Sequence, residues 1–173
     1  GDRIIKAEGG KLQAYLPDGK LLWEKPYAGS KALVTAVGNR IFLVEKDSGD
    51  FYCLDELGNI KAKREALGKV DRIIAKSSDY AILYKKFEKK IQVLNSKGED
   101  EAIIELPYPE ILDVDYSPEL KLIGVSVFFI EKDNFHTNVF LFGTDGEMKG
   151  ARNFNNQILS RIYGHKNQFI GMS

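Results

Sequence analysis

The sequence is poor in the residues that build disulfides, metal sites and membrane spans. Its single cysteine, Cys53, cannot form a disulfide within the chain, and its position in an apolar strand suits a small buried side chain. Zinc needs several nitrogen or sulfur ligands, so His136, with His165 as the only other histidine, predicts no metal site. The longest apolar run, 122–130, has nine residues, whereas a helix that crosses a bilayer needs roughly 20. We therefore expect no metal, no cofactor and no membrane span.

An excess of charge of either sign is also missing. Lysine and arginine together number 25, as do aspartate and glutamate, so the formal net charge is zero. A nucleic-acid-binding protein is expected to carry a basic excess that displaces counterions from phosphates. The basic run 85–90 falls at a predicted hairpin turn and is interpreted as solvated. The sequence thus predicts no nucleic-acid partner, and any membrane association would depend on an anchor outside this sequence.

The sequence does contain a repeat of about 40 residues. Four glycines, each in a turn after a strand-like apolar run, are spaced by 39, 40 and 48 residues: Gly19, Gly58, Gly98 and Gly146. A second set is spaced by 40, 40 and 48 residues, and each member opens a segment of polar turn residues that is followed by a new apolar run: Val34, Ile74, Val114 and Ile162. Two features that move in the same register indicate the blades of a β-propeller.

Four strands can be recognised within one repeat. In the second repeat they cover 33–37, 41–44, 51–54 and 60–64, and Gly58 supplies a left-handed turn position between the last two. The last strand is the most charged, which predicts buried inner strands and a solvated outer edge. The predicted fold class is all-β: a propeller of four-stranded antiparallel blades, with about four blades in this chain. A parent propeller of seven or eight blades is one arrangement that fits.

The predicted domain is a single propeller, or a fragment of one, over residues 1–173. Its repeats cover approximately 1–30, 31–69, 70–110 and 111–157, and residues 158–173 either start a fifth unit or close the ring. Three arrangements compete: a ring of four blades in which 158–164 supplies the missing inner strand, an open fragment, and two chains that complete one ring. We favour a fragment of a larger propeller, paired as a homodimer, with the closed ring close behind.

The first repeat resembles the PQQ-like, or quinoprotein-type, propeller repeat. Residues 12–24 combine an apolar strand, a turn that ends in Gly19-Lys20, and an apolar residue before Trp23. Residues 114–119 resemble the strand-to-turn opening of WD-type repeats. This resemblance implies the propeller architecture and a packing role for Trp23 between blades. Among the non-catalytic bacterial envelope members it implies a scaffold or an ectodomain.

The resemblance argues against a quinoprotein enzyme. In those enzymes it would imply a calcium-bound quinone and, in many members, a vicinal disulfide, which Cys53 alone cannot form. Gln13 and Tyr15 also stand where the family's docking motif has alanine and aspartate. The predicted function is a non-enzymatic extracytoplasmic scaffold or ligand-sensing ectodomain that binds protein, peptide or cell-wall carbohydrate. The alternative is a propeller enzyme that acts on a small molecule or glycan in a central channel, and the alternative location is the cytoplasm.

Three repeats place an aromatic residue after the glycine turn. Tyr27 and Phe154 lie eight residues past their glycines, and Tyr108 lies ten past its own. A cluster of such rings could bind a peptide or a glycan, and the alternative is that the rings pack between neighbouring blades.

The eight extra residues of the last interval predict a long hairpin. Residues 128–138 replace a short turn and contain Phe129, Phe135 and His136, which we predict to contact a partner. A merely tolerated insertion is the alternative. Asp113 and Asp115 lie two apart on a predicted strand and are expected to cap the turn at Ser117-Pro118. No catalytic residue is assigned.

Overall fold

The computed structural model describes residues 3–132 and 134–173, and within them the chain forms strands and turns without a helix. Gly1 and Asp2 of the first predicted repeat, and Asp133 of the predicted hairpin, lie outside the described residues. The strands are β1 Ile4–Glu8, β2 Lys11–Tyr15, β3 Leu21–Pro26, β4 Ala32–Val37, β5 Arg40–Glu45, β6 Phe51–Asp55, β7 Ile60–Arg64, β8 Arg72–Ile74, β9 Tyr80–Lys85, β10 Lys90–Asn95, β11 Asp100–Glu105, β12 Glu110–Ser117, β13 Leu122–Glu131, β14 Asn134–Gly143, β15 Met148–Asn155, β16 Arg161–His165 and β17 Gln168–Met172. In the part of the chain that is described, no helix could cross a membrane.

The strands form five sheets in which sequence neighbours pair. The strand orders are β1-β2-β3, β4-β5-β6-β7, β11-β10-β9-β8, β12-β13-β14-β15 and β16-β17. The four strands predicted in the second repeat are confirmed as β4 to β7. The chain divides into two compact units, residues 1–88 with 93–100 and residues 89–92 with 101–173. The first two sheets belong to the first unit, and the last two belong to the second.

The four repeated glycines form the same turn in each repeat. The backbone N–H of each glycine donates to the carbonyl three residues earlier, at 2.9–3.0 Å. Their φ angles lie between 77° and 88°, a left-handed conformation in which a β-carbon is strained. The residues involved are Gly19, Gly58, Gly98 and Gly146. The sequence period therefore reflects a backbone requirement that recurs once in each of the first four sheets.

The second sheet is covered on both faces. Along β5, Ile41 and Leu43 join a cluster that includes Leu12 of the first sheet. Phe42 and Val44 alternate with them and join a second cluster, in which Cys53 is fully buried. Side chains that point to opposite faces are thus buried on both sides, which explains the continuous apolar sequence of this strand. Burial raises the pKa of the Cys53 thiol, so the predicted small buried side chain is confirmed.

The burial of the strands, from the first to the last in the repeat, differs in part from the prediction. The middle strands β5 and β6 are almost entirely buried, and β7 is mostly exposed, as expected. The first strand, β4, is only half-buried rather than buried. The middle strands are the ones that neighbouring clusters cover on both faces, and this packing, rather than order along the chain, determines burial.

Each glycine turn of the later repeats packs on one residue of the repeat before it. A β-carbon at Gly58 would lie 3.0 Å from the ring of Trp23, whose indole N–H donates to the Glu56 carbonyl at 3.2 Å. The same relation joins Ala62 to Gly98 and Ala102 to Gly146, with hypothetical β-carbon distances of 3.4 and 3.0 Å. Trp23 therefore packs between two sheets, as the resemblance implied.

In the second unit, side chains of the fourth sheet bind the backbone of residues 157–166. The Asp113 and Asp115 carboxylates accept the N–H groups of Ile162 (3.0 Å) and Gly164 (2.8 Å). The hydroxyl of Ser117 donates to the Lys166 carbonyl at 2.9 Å. Residues two apart on β12 thus meet residues two apart on β16, because both strands alternate with period two. The two aspartates hold β16 instead of capping the turn at Ser117-Pro118 as we expected.

Candidate interaction surface

The hairpin of β13 and β14 extends past its neighbours in the fourth sheet. Its two strands have ten residues each and pair continuously from Leu122 opposite Gly143 to Glu131 opposite Asn134. Pairing with β12 reaches only Phe128, and pairing with β15 reaches only His136. Residues 129–131 and 134–135 therefore extend beyond the paired part of the sheet as a two-stranded ribbon. The eight-residue insertion appears as this longer hairpin.

Aromatic rings cover one face of the hairpin. Phe129 and His136 are cross-strand partners whose rings stack at 5.2 Å with an interplanar angle of 8°. Tyr108 stacks on Phe140 at 4.4 Å and meets the Phe129 ring edge-on at 6.5 Å. Because these rings support one another, the His136 ring is held by Phe129 on a preformed surface. Burial raises the pKa of the Tyr108 phenol, which stays neutral and apolar in this cluster.

The opposite face of the hairpin exposes two apolar side chains. Ile130 and Phe135 are the cross-strand partners next to the last pair of the hairpin, and their exposed fractions are 71% and 38%. Phe128 lies beside Phe135, with ring centroids 6.3 Å apart. β12 does not pair with this part of the ribbon, and the β15 side contacts it through Asn156, whose N–H donates to the Phe135 carbonyl at 3.0 Å. The sequence therefore places a branched aliphatic and an aromatic side chain in solvent at a preorganised position.

Asparagines surround the end of the hairpin. His136 lies opposite Asn155 in register, and Asn138 lies opposite Asn153, whose side-chain amide N–H donates to the side-chain Oδ1 of Asn138 at 2.7 Å. A polar hollow of about 690 Å³ opens beside them, bounded by Glu131, Lys132, Asn134, Phe135, His136, Asn153, Asn155 and Asn156. Amide groups donate and accept hydrogen bonds without carrying charge. The surroundings of the exposed rings are therefore polar and nearly neutral.

We name the end of the hairpin the hairpin surface: it carries Ile130 and Phe135 on one face, and Phe129, His136 and the amides of Asn153 and Asn155 on the other. Three of the six predicted site residues, Phe129, Phe135 and His136, belong to it. Tyr108, a fourth, supports it from beneath through Phe129. The asparagines were missed by the sequence analysis, although the composition of 153–156 would have indicated them.

The other two predicted residues lie elsewhere. Phe154 lies opposite Thr137 in register, on the sheet face opposite Phe140, where it packs against Val139 and Leu159. The Arg152 guanidinium lies 5.6 Å from its ring centre. Tyr27 packs in the first unit against the cluster that contains Leu12. Tyr108 and Phe154 therefore do not form a common cluster, because alternate residues of a sheet point to opposite faces.

The acidic pair contributes no exposed chemistry. Asp113 and Asp115 are 6% and 5% exposed, and their carboxylates accept backbone N–H groups of β16. Within residues 3–132 and 134–173, no three acidic, histidine or cysteine side chains are grouped to hold a metal ion.

A solved structure described as "Crystal structure of BBS1N in complex with ARL6DN, soaked with mercury" matches 99% of the chain with a TM-score of 0.67 and 12% sequence identity. The chain spans 58% of the length of that protein chain. At this identity the likeness identifies the fold, which is a β-propeller built from four-stranded antiparallel blades. In all, 378 chains of solved structures match, so the fold by itself implies no single activity. No curated protein matches the sequence. A family model described as a family of unknown function, DUF5711, matches residues 1–170.

Proposed function

The chain belongs to the DUF5711 family of unknown function, and we propose that it is a non-enzymatic propeller protein that binds a partner protein through the hairpin surface. One observation carries this proposal. Ile130 and Phe135 form an exposed cross-strand pair on a ribbon that extends beyond the pairing limits of β12 and β15. A fold does not need apolar side chains at such a position, whereas an interface does.

The arrangement matches the anatomy of a protein interface. Binding energy is concentrated in a few buried aromatic and aliphatic anchors, with a polar rim that excludes water. Ile130 and Phe135 are the anchors in this proposal. The amides of Asn153 and Asn155 lie on the His136 face and border the end of the hairpin. The Phe129–His136 stack limits the rotamer freedom that would otherwise be lost on binding. The partner should offer an apolar pocket surrounded by neutral hydrogen-bonding groups.

A protein partner is also supported by the solved propeller that the chain resembles. That structure was determined in complex with another protein, ARL6DN. The similarity covers the fold alone, so the mode of binding is argued from the hairpin and not transferred. A peptide or a cell-wall carbohydrate is the other class of ligand that aromatic and amide groups can bind.

The remaining parts of the proposal rest on the PQQ-like resemblance of residues 12–24. We propose kinship with the non-catalytic members of that superfamily and a location outside the cytoplasm, as a scaffold or a sensing ectodomain. A non-catalytic role is supported by the acidic pair on β12, because both carboxylates are occupied by backbone N–H groups. Protease digestion of intact and of lysed cells would test the location. Digestion only after lysis would contradict it.

The binding experiment compares two exposed phenylalanines on different hairpins. Phe135→Asp removes an anchor, and Phe87→Asp changes the turn between β9 and β10, where Phe87 is 90% exposed. Both variants should fold, because neither ring belongs to the buried core. Proteins from the cells that naturally make this chain are retained on wild-type and variant proteins and compared.

We expect one specific protein to be retained by wild type and by Phe87→Asp, and to be at least tenfold depleted with Phe135→Asp, since an anchor contributes about 2 kcal/mol or more. Equal retention by Phe135→Asp and wild type would refute the proposal, and so would equal loss with Phe87→Asp. Retention that polysaccharide competes away would assign the surface to a carbohydrate instead.

A further inference from the structure

The strand β17 pairs on one edge only among the described residues. Ile162 on β16 corresponds to Val114 on β12, 48 residues earlier, so β17 corresponds to β13. In the second, third and fourth sheets the strand at this place, β5, β9 or β13, is paired on both edges. β17 is therefore a strand of the central type whose second edge is open.

The sequence of β17 is also that of a central strand. Residues 168–172, Gln-Phe-Ile-Gly-Met, contain no charge and no proline. The outer strands β3, β7, β11 and β15 each carry at least two charged residues. Charges and proline protect a free edge against pairing with another chain. β17 has neither protection, so its composition suits a strand with a neighbour on each side.

The free backbone groups of β17 belong to Phe169 and Gly171. β16 and β17 are joined by a two-residue turn that begins at Lys166, whose φ of 49° is typical of such hairpins. The flanking residues, His165 and Gln168, bond each other through the backbone, and the pattern alternates along the strand. The N–H and carbonyl groups of Phe169 and Gly171 therefore point to the open edge.

An apolar groove of about 440 Å³ lies between β17 and the last two strands of the fourth sheet. It is lined by Leu141 of β14, Gly150 and Phe154 of β15, and Phe169 and Gly171 of β17. The side chains of Leu141, Phe154 and Phe169 are only half-buried, so a ligand in the groove can contact them. The groove thus offers apolar contacts directly beside the open backbone edge.

Gly150 occupies a packing position that is filled in the earlier repeats. Trp23, Ala62 and Ala102 also lie four residues after their glycines, and each contacts the glycine turn of the following sheet. A β-carbon at Gly150 would meet nothing within 4 Å. The wall that receives part of another sheet in three repeats is therefore open in the fourth.

The surroundings of the groove are basic. Residues 151–173 contain two arginines, one lysine and no acidic residue, although the whole chain is neutral. Arg152 lines the groove, and its guanidinium lies 5.6 Å from the ring centre of Phe154. Asn167 and Gln168, which also line it, are uncharged. A segment that combines apolar side chains with a carboxylate is complementary to this wall.

We propose that the open edge of β17 and the groove beside it bind an extended segment of a partner protein as an added β-strand. The segment pairs through its backbone with Phe169 and Gly171. Its apolar side chains pack against Leu141 and Phe154, and a carboxylate pairs with Arg152. In this mode of recognition, main-chain hydrogen bonds give affinity and pockets for alternate side chains give specificity. The proposal does not depend on the hairpin surface, with which it shares no residue.

The binding test uses a synthetic ten-residue peptide of alternating valine and threonine, in which one central valine is replaced by aspartate. Fluorescence anisotropy of the labelled peptide measures its binding to the purified protein. Two further peptides carry N-methyl groups at alternate residues, one along each edge of the strand. We expect saturable binding that methylation of one edge abolishes and methylation of the other edge leaves intact, because only one edge pairs with β17. No saturable binding, or equal binding of the two methylated peptides, would overturn the proposal.

A pair of protein variants tests the groove. Gly150→Phe fills it without a clash at the β-carbon, so the protein should melt no lower than wild type, while peptide binding should weaken at least tenfold. Asn153→Phe adds the same ring to the opposite face of β15 and should bind the peptide like wild type. Unchanged affinity in Gly150→Phe, or an equal loss in Asn153→Phe, would contradict the assignment of the groove.

The ion pair is tested with a peptide that carries asparagine in place of the aspartate. Wild type should bind this peptide about fivefold more weakly, the upper value of a partly exposed ion pair. Arg152→Gln should remove the preference for aspartate. Arg161→Gln removes the same charge from the opposite face of the fifth sheet, where Arg161 lies beside Met172, and should keep the preference. Equal preference in both variants would refute the contact with Arg152.

Crosslinking in the cells that make the protein tests the source of the added strand. A photoreactive amino acid replaces Ile170, which is 42% exposed on β17. We expect a crosslinked partner protein that Gly150→Phe removes and Phe135→Asp retains, which separates this site from the hairpin surface. Crosslinks confined to the protein's own chain would show that one of its own segments covers the edge, and they would overturn the assignment to a partner protein.

Discussion

Single side chains, rather than a backbone ladder, connect β16 to β12. Each polar residue on this face of β12 satisfies one backbone group of a strand that it cannot reach by ordinary pairing, because β16 pairs with β17. Gly164 allows this close approach, since a β-carbon there would lie 2.7 Å from the backbone of Ser117. The buried carboxylates are therefore structural acceptors.

Asp115→Ala should cost about 1–3 kcal/mol of unfolding free energy, because it removes the acceptor of the buried Gly164 N–H. Asp115→Asn keeps a carbonyl oxygen at that position and should cost less. Urea denaturation of the three proteins measures the difference. Equal stability of the alanine variant and wild type would show that this hydrogen bond has no net value.

Glu45 makes the stability of the fold depend on pH. Its carboxylate accepts the N–H groups of Asp47 (2.8 Å) and Ser48 (2.7 Å), and these backbone hydrogen bonds, led by Ser48, hold the pKa of Glu45 below its ordinary value of 4.5. A group with a lowered folded pKa stabilises the protein above its unfolded pKa and loses that contribution as the pH falls through the folded pKa.

Glu45→Gln should therefore lower stability by about 1 kcal/mol at pH 7, and this difference should shrink as the pH falls below 4.5. Thermal melts of wild type and variant at a series of pH values provide the measurement. The exposed Glu147→Gln is a suitable control. A difference between Glu45→Gln and wild type that stays constant from pH 7 to pH 3 would contradict the assigned role.

At the scale of elements, the glycine turn has two structural roles, which one pair of variants can separate. Gly19 and Gly58 have similar left-handed φ angles of 88° and 77°. A β-carbon at Gly19 would meet nothing within 4 Å, whereas at Gly58 it would meet Trp23 at 3.0 Å. The first turn therefore carries only the backbone requirement, and the second also carries the contact between sheets.

Gly19→Ala should cost about 1–2 kcal/mol through backbone strain alone, and Gly58→Ala should cost more. In a Trp23→Ala background the excess at Gly58 should disappear, which a double-mutant cycle reports as coupling. Trp23→Ala by itself should cost about 3 kcal/mol through lost burial. Additive effects of Gly58→Ala and Trp23→Ala would refute their contact.

The elements were largely predictable because they depend on local chemistry. Glycines at left-handed turns and alternating apolar strands recur with a regular spacing in the sequence, so β4 to β7 could be placed. The packing role of Trp23 was expected from the PQQ-like resemblance. The roles of Asp113 and Asp115 could not be predicted, since their partners on β16 lie 49 residues away.

At the scale of the whole molecule, the candidate sites are departures from the repeat. The hairpin surface arises where one interval is eight residues longer. A regular repeat supplies the scaffold because the same turn and the same packing contact recur. The predicted hairpin was identified from its length, whereas its exposed pair and its asparagines required the pairing register.

The most direct test of the proposed function is site-specific photocrosslinking in the cells that make the protein. A photoreactive amino acid replaces Ile130 in one variant and Phe87 in another, so that both probes sit at exposed apolar positions on hairpins. We predict a discrete crosslinked protein with the probe at position 130 and none with the probe at 87. Absence of any protein adduct at position 130, or the same adduct at both positions, would contradict the assignment of the hairpin surface as the binding site.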